Sequence, residues 1–420
     1  MVRIFNDVFC MRYKLQFQFI LLLVLSAVCF GQKKLAEVHP GAMEFFDKHI
    51  MTVTGMRVGL ICNRTSVMPD GKLLVDRLLN ENVNVTALFS PEHGIRGDKA
   101  AGADVESTID PRLGIPVYSL YGKNKKPTKE MLENVDVLMF DIQDVGARFY
   151  TYISTMALAM QAAAENKKHF IVLDRPNPIN GNDMEGPLLD SSQTSFVGMF
   201  PMPMRTGLTI GEIARLIKYV WWKNDSLHLE IIPMEGWTRD LWYDQIALAW
   251  SAPSPNIKSF DAEIVYPGTC LFEATSASEG RGTDKPFQNI GAPWIDGNTF
   301  AAQMNKLNLP GVTFDSIRFT PVPDSIAAPN PKFSGKECGG VFIRVTDRTK
   351  FKPVLTSTVM ITTLMHLYPD SLIIQEKTFD RLSGSTSLRL GIQTGNGIPW
   401  QKYQDDIDTF KKSIEDYLIY

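Results

Sequence analysis

From residue 57 onward, short runs that are apolar at nearly every position alternate with stretches of helical pattern. "RVGLICN" (57–63), "VNVTALFS" (83–90), "IPVYSLY" (115–121), "VDVLMFDIQD" (135–144) and "HFIVLDRP" (169–176) read as strands; "KLLVDRLLNEN" (72–82) and "YTYISTMALAMQAAAENK" (150–167) read as helices. A strand with apolar side chains on both faces is stable only where both faces are covered, so the pattern predicts a doubly wound α/β domain built on a parallel sheet. In such sheets ligands sit beyond the carboxyl ends of the strands. Asn63, Glu92, Asp141 and Asp174 each fall at or just past such an end. Any one of them alone is an ordinary cap or turn former; their common placement outlines a site.

A chain of 420 residues is long for a single core, and two domains are expected. The stretch "SAPSPNI" (251–257), with two prolines and no long side chain, marks the boundary. The expected organisation is a leader over 1–31, a parallel α/β domain over 32–255 and a smaller mixed α and β domain over 256–420. The second domain has "CGGVFIRVTD" (338–347) as a strand and "PVLTSTVMITTLMHLY" (353–368) as a helix begun by proline. The leader is read from Arg12 and Lys14 ahead of "FILLLVLSAVCFG", which is too short to span a bilayer comfortably and ends in small residues. Export, to a periplasmic location, is the consequence. Cleavage near Gly31 is favoured over a lipid anchor at Cys29, because Val28 precedes that cysteine where a small residue is wanted.

Composition excludes several classes. A net charge of −3 gives no basic field to gather nucleic acid. Neither GxGxxG nor GxxxxGK[ST] follows the first strand, which ends in "ICNRTSV", so a nucleotide partner is not expected in spite of the sheet. There is no GxSxG elbow. Beyond the leader, Cys62, Cys270 and Cys338 are far apart and the histidines are scattered, so no metal site and no disulfide framework is expected, only buried inert thiols.

What remains is a set of carboxylates with hydrogen-bonding and aromatic companions. "SPEHGIRG" (90–97) sets Glu92 between Pro91 and His93. "FDIQDVGARFYTY" (140–152) offers Asp141, Gln143, Asp144, Arg148 and Tyr150 between a strand end and a helix start. "LDRPNPING" (173–181) adds Asp174, Arg175, Asn177 and Asn180 on a proline-stiffened loop. In the second domain, "SASEGRGTDKPF" (276–287) brings Glu279 and Arg281, flanked by Gly280 and Gly282, which permit close backbone approach to a ligand. Each of these also has a structural use, as a cap, a turn or an ion pair. Taken together, without a metal or a phosphate loop, they suit glycosidic hydrolysis, in which one carboxylic acid protonates the leaving oxygen. Glu92 is the candidate for that acid.

The segments "LFSPEHGIRGD", "GIPVYSLYG", "DVLMFDIQDVGARFYTYISTM", "LDRPNPINGNDMEGP", "PSPNI", "YPGTCLFEATSASEGRGTDKPFQNIGAPWID" and "CGGVFIRVTDR" resemble, in order, the blocks of the exo-β-N-acetylmuramidase family. The resemblance runs from about residue 55 to the C-terminus. It implies a Rossmann-like domain followed by a smaller one, with the active cleft between them, and no cofactor. The implied activity is release of terminal N-acetylmuramic acid (MurNAc) from the non-reducing ends of peptidoglycan-derived MurNAc-GlcNAc oligosaccharides or muropeptides. The glutamate of its "PEHG" motif, here Glu92, is implied as catalytic. The second catalytic group is open among Asp141, Asp144 and Glu279, with Tyr150 as an alternative nucleophile. Asn63, His93, Gln143, Arg148, Asp174, Arg175, Asn177 and Arg281 are the expected substrate contacts. MurNAc carries a lactyl carboxylate, which a guanidinium grips best; Arg281 and Arg148 rank ahead of Arg175. A non-catalytic sugar-binding protein would use the same cleft without a protonated acid. A peptidoglycan amidase or esterase would need a metal or an activated nucleophile, for which the sequence offers no motif.

Overall fold

The computed structural model describes residues 35–92, 94–95, 108–395 and 397–420. The expected leader (1–31) and His93 lie outside these residues. Glu37–Tyr420 forms a single compact unit.

Seven strands make the larger sheet: β1 (Val58–Cys62), β2 (Val85–Ser90), β3 (Thr108–Ile109), β4 (Pro116–Ser119), β5 (Val137–Asp141), β6 (His169–Leu173) and β7 (His228–Ile232). Their order is β3-β4-β2-β1-β5-β6-β7, parallel except for β3, which runs antiparallel to β4. The reason for the continuous apolar runs is visible along β5. Val137 and Met139 enter the core on one face with Leu60, Leu74 and Leu78, while Leu138 and Phe140 enter the other with Ile153, Met156 and Phe170. The first face is covered by α1 (Leu74–Asn80), the second by α2 (Tyr152–Glu165) and α3 (Ile210–Leu216). The expected doubly wound parallel sheet is therefore present. α3 starts with a capping box between Thr209 and Glu212, which satisfies two otherwise unpaired N–H groups.

The C-terminal part contains α4 (Phe260–Thr269), a 3₁₀ turn (Cys270–Ala274), β8 (Asn289–Ala292), α5 (Gly297–Lys306), β9 (Val312–Phe319), β10 (Cys338–Val345), α6 (Pro353–Leu367), α7 (Glu376–Ser383), α8 (Thr386–Thr394) and α9 (Trp400–Ile414). Its three strands form an antiparallel sheet in the order β8-β10-β9. One apolar cluster runs from Phe89 and Phe140 through Tyr266 and Phe272 to Val341, Phe379 and Phe410, so the two sheets share a core. The 251–257 stretch is not an exposed linker: Pro253, Ser254, Asn256 and Ile257 are buried.

Candidate active site

The sheet switches direction between β1 and β5, where a doubly wound fold usually opens its ligand crevice. Here hydrogen bonds tie the strand-end loops to one another across that point. Asn63, just past β1, accepts from the amide and hydroxyl of Thr65 (2.8 and 2.6 Å). The Thr65 hydroxyl accepts from the Gln143 amide at 3.0 Å, and Ser66 donates to the Asp141 carbonyl. Asp141, fully buried, is clamped by Arg175 through both oxygens (2.5 and 2.8 Å). Asp174 accepts from Thr209 Oγ1, the Gly211 amide and the Tyr420 hydroxyl at 2.7–2.8 Å. The Gln143 side chain donates to the carbonyls of Asp144 and Pro176, and Asn177 donates to the Leu208 carbonyl. Asn180 accepts from the amides of Asn182 and Asp183. These residues tie the strand-end loops to one another and are not among those that line the cavity formed by Glu92, Tyr150 and Arg281.

The cavity lies to one side, with a volume of about 220 Å³. Its walls come from the loop after β2 (Glu92), from Tyr121 after β4, from the start of α2 (Phe149–Tyr152), from Ser254 and Ile257, and from the segment 266–287. Glu92 accepts a hydrogen bond from Thr151 Oγ1 at 3.0 Å. Thr151 stands at the N-cap of α2, yet its side chain makes no cap bond; its hydroxyl serves Glu92 instead.

Three phenols surround this carboxylate. Burial, then the Glu92 charge, pushes the Tyr121 hydroxyl well above the ordinary tyrosine range. Tyr150 is raised by burial first, then by Tyr152 and Glu92, and Tyr152 by burial and then Glu92. All three remain phenols at neutral pH, able to donate hydrogen bonds. This environment disfavours the phenolate that a tyrosine nucleophile at Tyr150 requires.

On the other side of the cavity, the Tyr150 ring meets Tyr266 edge-on at 5.8 Å, and Tyr266 meets Phe287 at 4.8 Å. Arg281 lies over Phe287, 5.3 Å from its centroid, and pairs with Glu273 at 2.5 Å and Glu279 at 3.3 Å. Burial works against the Arg281 charge, but Glu273 and Glu279 outweigh it and hold the guanidinium protonated. Cys270 also faces the cavity; burial pushes its thiol well above the ordinary value, and its Sγ donates to the Tyr266 hydroxyl. A thiol kept neutral in this way is no nucleophile.

Of the residues singled out from sequence, the cavity gathers Glu92, Tyr150 and Arg281. Arg148 is elsewhere: its guanidinium is buried and donates to the carbonyls of Pro187, Met202 and Leu382 at 2.7–3.0 Å. Glu279 is buried behind Arg281, with Lys332 at 3.0 Å. Asp144 is buried and accepts from the Gly146 amide; burial, opposed by that amide, raises its carboxyl to about 7. Gly280 and Gly282 have φ of +79° and +80°, but a side chain there would strike Asn289 O and Val322 O at 2.5 and 2.7 Å. Their bareness serves the chain's own backbone and not a ligand, which corrects the expectation. Glu273, Tyr121, Tyr266 and Phe287 line the cavity without having been singled out. The spacing of Glu273 to Arg281, across a turn followed by a glycine-flanked loop, was the available signal.

Models of two family domains, described as exo-beta-N-acetylmuramidase NamZ, N-terminal and C-terminal, match residues 58–261 and 264–420. The chain belongs to the exo-β-N-acetylmuramidase family. It is 45% identical over 391 residues, 92% of each chain, to the peptidoglycan beta-N-acetylmuramidase NamZ of Bacillus subtilis (strain 168). Two crystal structures of DUF1343 family proteins from Bacteroides fragilis NCTC 9343 are similar in fold. One has a TM-score of 0.82 at 35% identity, the other 0.73 at 31%; each match covers 92% of this chain and 99% of the other. The cavity of this exo-β-N-acetylmuramidase family member draws Glu92 and its phenols from the segment matched by the N-terminal model. Glu273, Arg281 and Phe287 come from the segment matched by the C-terminal one.

Proposed function

We propose that the protein is an exo-acting glycoside hydrolase that releases terminal MurNAc from the non-reducing ends of peptidoglycan fragments, with Glu92 as the acid. The observation that carries this reading is the grouping, in a single small cavity, of an acidic side chain, three protonated phenols and a guanidinium. Glu92 gives its proton to the glycosidic oxygen, the phenols donate to sugar hydroxyls and the N-acetyl carbonyl, and Arg281 meets the lactyl carboxylate. A volume of about 220 Å³ is below the roughly 300–1,000 Å³ that takes a drug-sized ligand. It suits one terminal sugar and not the middle of a glycan strand. The relative's printed activity on peptidoglycan supports the substrate class. Peptidoglycan fragments lie outside the cytoplasm, and the leader over 1–31 would carry the chain to the periplasm.

The test is turnover of a chromogenic β-MurNAc glycoside beside its β-GlcNAc analogue, which lacks only the lactyl group. Turnover with strong preference for MurNAc is expected. Tight binding of both without release of sugar would make the protein a sugar-binding module instead.

A further inference from the structure

Hydrolysis of a glycoside uses a second group besides the acid, either to activate water or to attack the sugar directly. Asp141, paired with Arg175, Asp144, which accepts from the Gly146 amide, and Glu279, paired with Lys332 and Arg281, are buried and are not among the residues that line the cavity. Among the described residues lining the cavity, the carboxylates are Glu92 and Glu273.

Glu273 is fixed by more than its own rotamer. It sits on the 3₁₀ turn that follows α4, and Lys332 Nζ holds that turn by donating to the carbonyls of Phe272, Glu273 and Ala277 at 2.8–3.2 Å. The same ammonium pairs with Glu279, which pairs with Arg281, which in turn holds Glu273 through Oε1 at 2.5 Å. With 30% of its side chain exposed, Glu273 stays accessible from the cavity. The two acids govern different stretches of wall. Glu92 acts on Tyr121, Tyr150 and Tyr152, Glu273 on Tyr266 and Cys270, and the stretches join where the Tyr150 and Tyr266 rings meet. Both carboxylates line the same cavity, Glu92 from the loop after β2 and Glu273 from the turn after α4.

We propose that Glu273 is the second catalytic carboxylate, acting as the base that activates water against the anomeric carbon. The proposal rests on the hydrolase reading above. Glu273 takes one proton from water as the water oxygen bonds to the anomeric carbon. The bond from that carbon to the leaving oxygen breaks, and the leaving oxygen takes the proton of Glu92. Glu273 ends protonated and Glu92 ionised, and exchange with solvent restores both. Arg281 is a positioning residue for Glu273 and keeps it aimed into the cavity. Direct attack by water inverts the anomeric configuration, so the first sugar released from a β-glycoside is α-MurNAc.

The experiment uses the full-length protein with two substrates, MurNAc-β-GlcNAc disaccharide and nitrophenyl β-MurNAc, whose leaving group departs without protonation. Glu273→Gln should lower kcat by about a hundredfold or more on both, with KM within a few-fold of wild type. Glu92→Gln should lose the disaccharide far more than the nitrophenyl glycoside. Azide, a nucleophile that needs no base, should restore part of the turnover of Glu273→Ala as glycosyl azide; a residue with a merely structural role would show no such rescue. NMR of the sugar first released by wild type needs no variant and stays decisive if either substitution unfolds the chain. Near-normal kcat in Glu273→Gln, or β-MurNAc as the first product, would overturn the proposal and leave the hydrolase reading standing. Failure of wild type to cleave either substrate would remove that reading, and the proposal with it.

Discussion

Arg281 and Arg148 look equivalent in sequence, each beside a carboxylate on a loop, and the structure separates them. Arg281 faces the cavity; Arg148 is spent on three backbone carbonyls. Arg281→Ala should therefore reduce kcat/KM for a β-MurNAc glycoside far more than for the β-GlcNAc analogue, whose slow turnover falls only through the loosened hold on Glu273. The loss expected for one partner of a desolvated charge pair is about 2–5 kcal/mol. Arg148→Ala should instead lower the melting temperature, since each buried carbonyl left without a donor costs roughly 1–3 kcal/mol. Its ratio of the two kcat/KM values should match wild type; a changed ratio would mean that Arg148 reads the substrate. Glu92→Gln keeps shape and hydrogen bonding but has no proton to transfer, so disaccharide turnover should fall by about a hundredfold or more with the melting temperature preserved. Near-normal turnover would take Glu92 out of the mechanism.

Among the elements, the central strands were legible because both faces are buried and nearly every position is apolar, a pattern that few other structures need. β7 was not, since "HLEII" is a half-buried edge whose signal is short and mixed. β8, "NIGA", has almost no strand signature: Gly291 is there because a Cβ would strike Gly339 O. β9 does alternate, with Val312 and Phe314 inward and Thr313 outward, but eight residues of alternating pattern do not announce which sheet they join. The site was legible in part for a related reason. Strand ends predict where polar side chains collect, but not whether they face a ligand or one another, and Asp141, Asp174 and Asn177 face one another's loops. Asp141→Asn tests this directly. It leaves the Arg175 guanidinium buried without its counter-charge, a loss that typically costs about 3–5 kcal/mol. Denaturant unfolding should show that loss, while KM for the β-MurNAc glycoside stays near wild type in the protein that remains folded.

Across the whole molecule, the shared apolar cluster binds the two sheets into one unit, and several carboxylic acids lie buried in the fold, Glu263, Asp144 and Asp174 among them. Burial raises Glu263 to about 8, opposed by the hydrogen bond from Trp250 and reinforced by Asp144, and it raises Asp144 and Asp174 to about 7. In the unfolded chain all three titrate near 4. Between these values the folded state holds protons that the unfolded state has lost, so stability falls as pH rises. Their contribution is fully present below about pH 4 and is lost as pH climbs through 7 and 8, with a slope of about 1.4 kcal/mol per pH unit for each proton. Calorimetry should show a single transition whose midpoint drops from pH 5 to pH 8, and Glu263→Gln should flatten that drop. A midpoint that rises over this range would mean that these buried acids are ionised in the fold.

The central claim is that one cavity, with Glu92 as acid, removes one terminal MurNAc at a time. The most direct measurement is a time course on two defined peptidoglycan fragments of equal length, one with MurNAc and one with GlcNAc at the non-reducing end, analysed by mass spectrometry. Free MurNAc should appear from the first fragment at the earliest time point, with no internal cleavage products, and the second fragment should react far more slowly. Internal fragments from either substrate, or release of GlcNAc from the second as fast as MurNAc from the first, would contradict this.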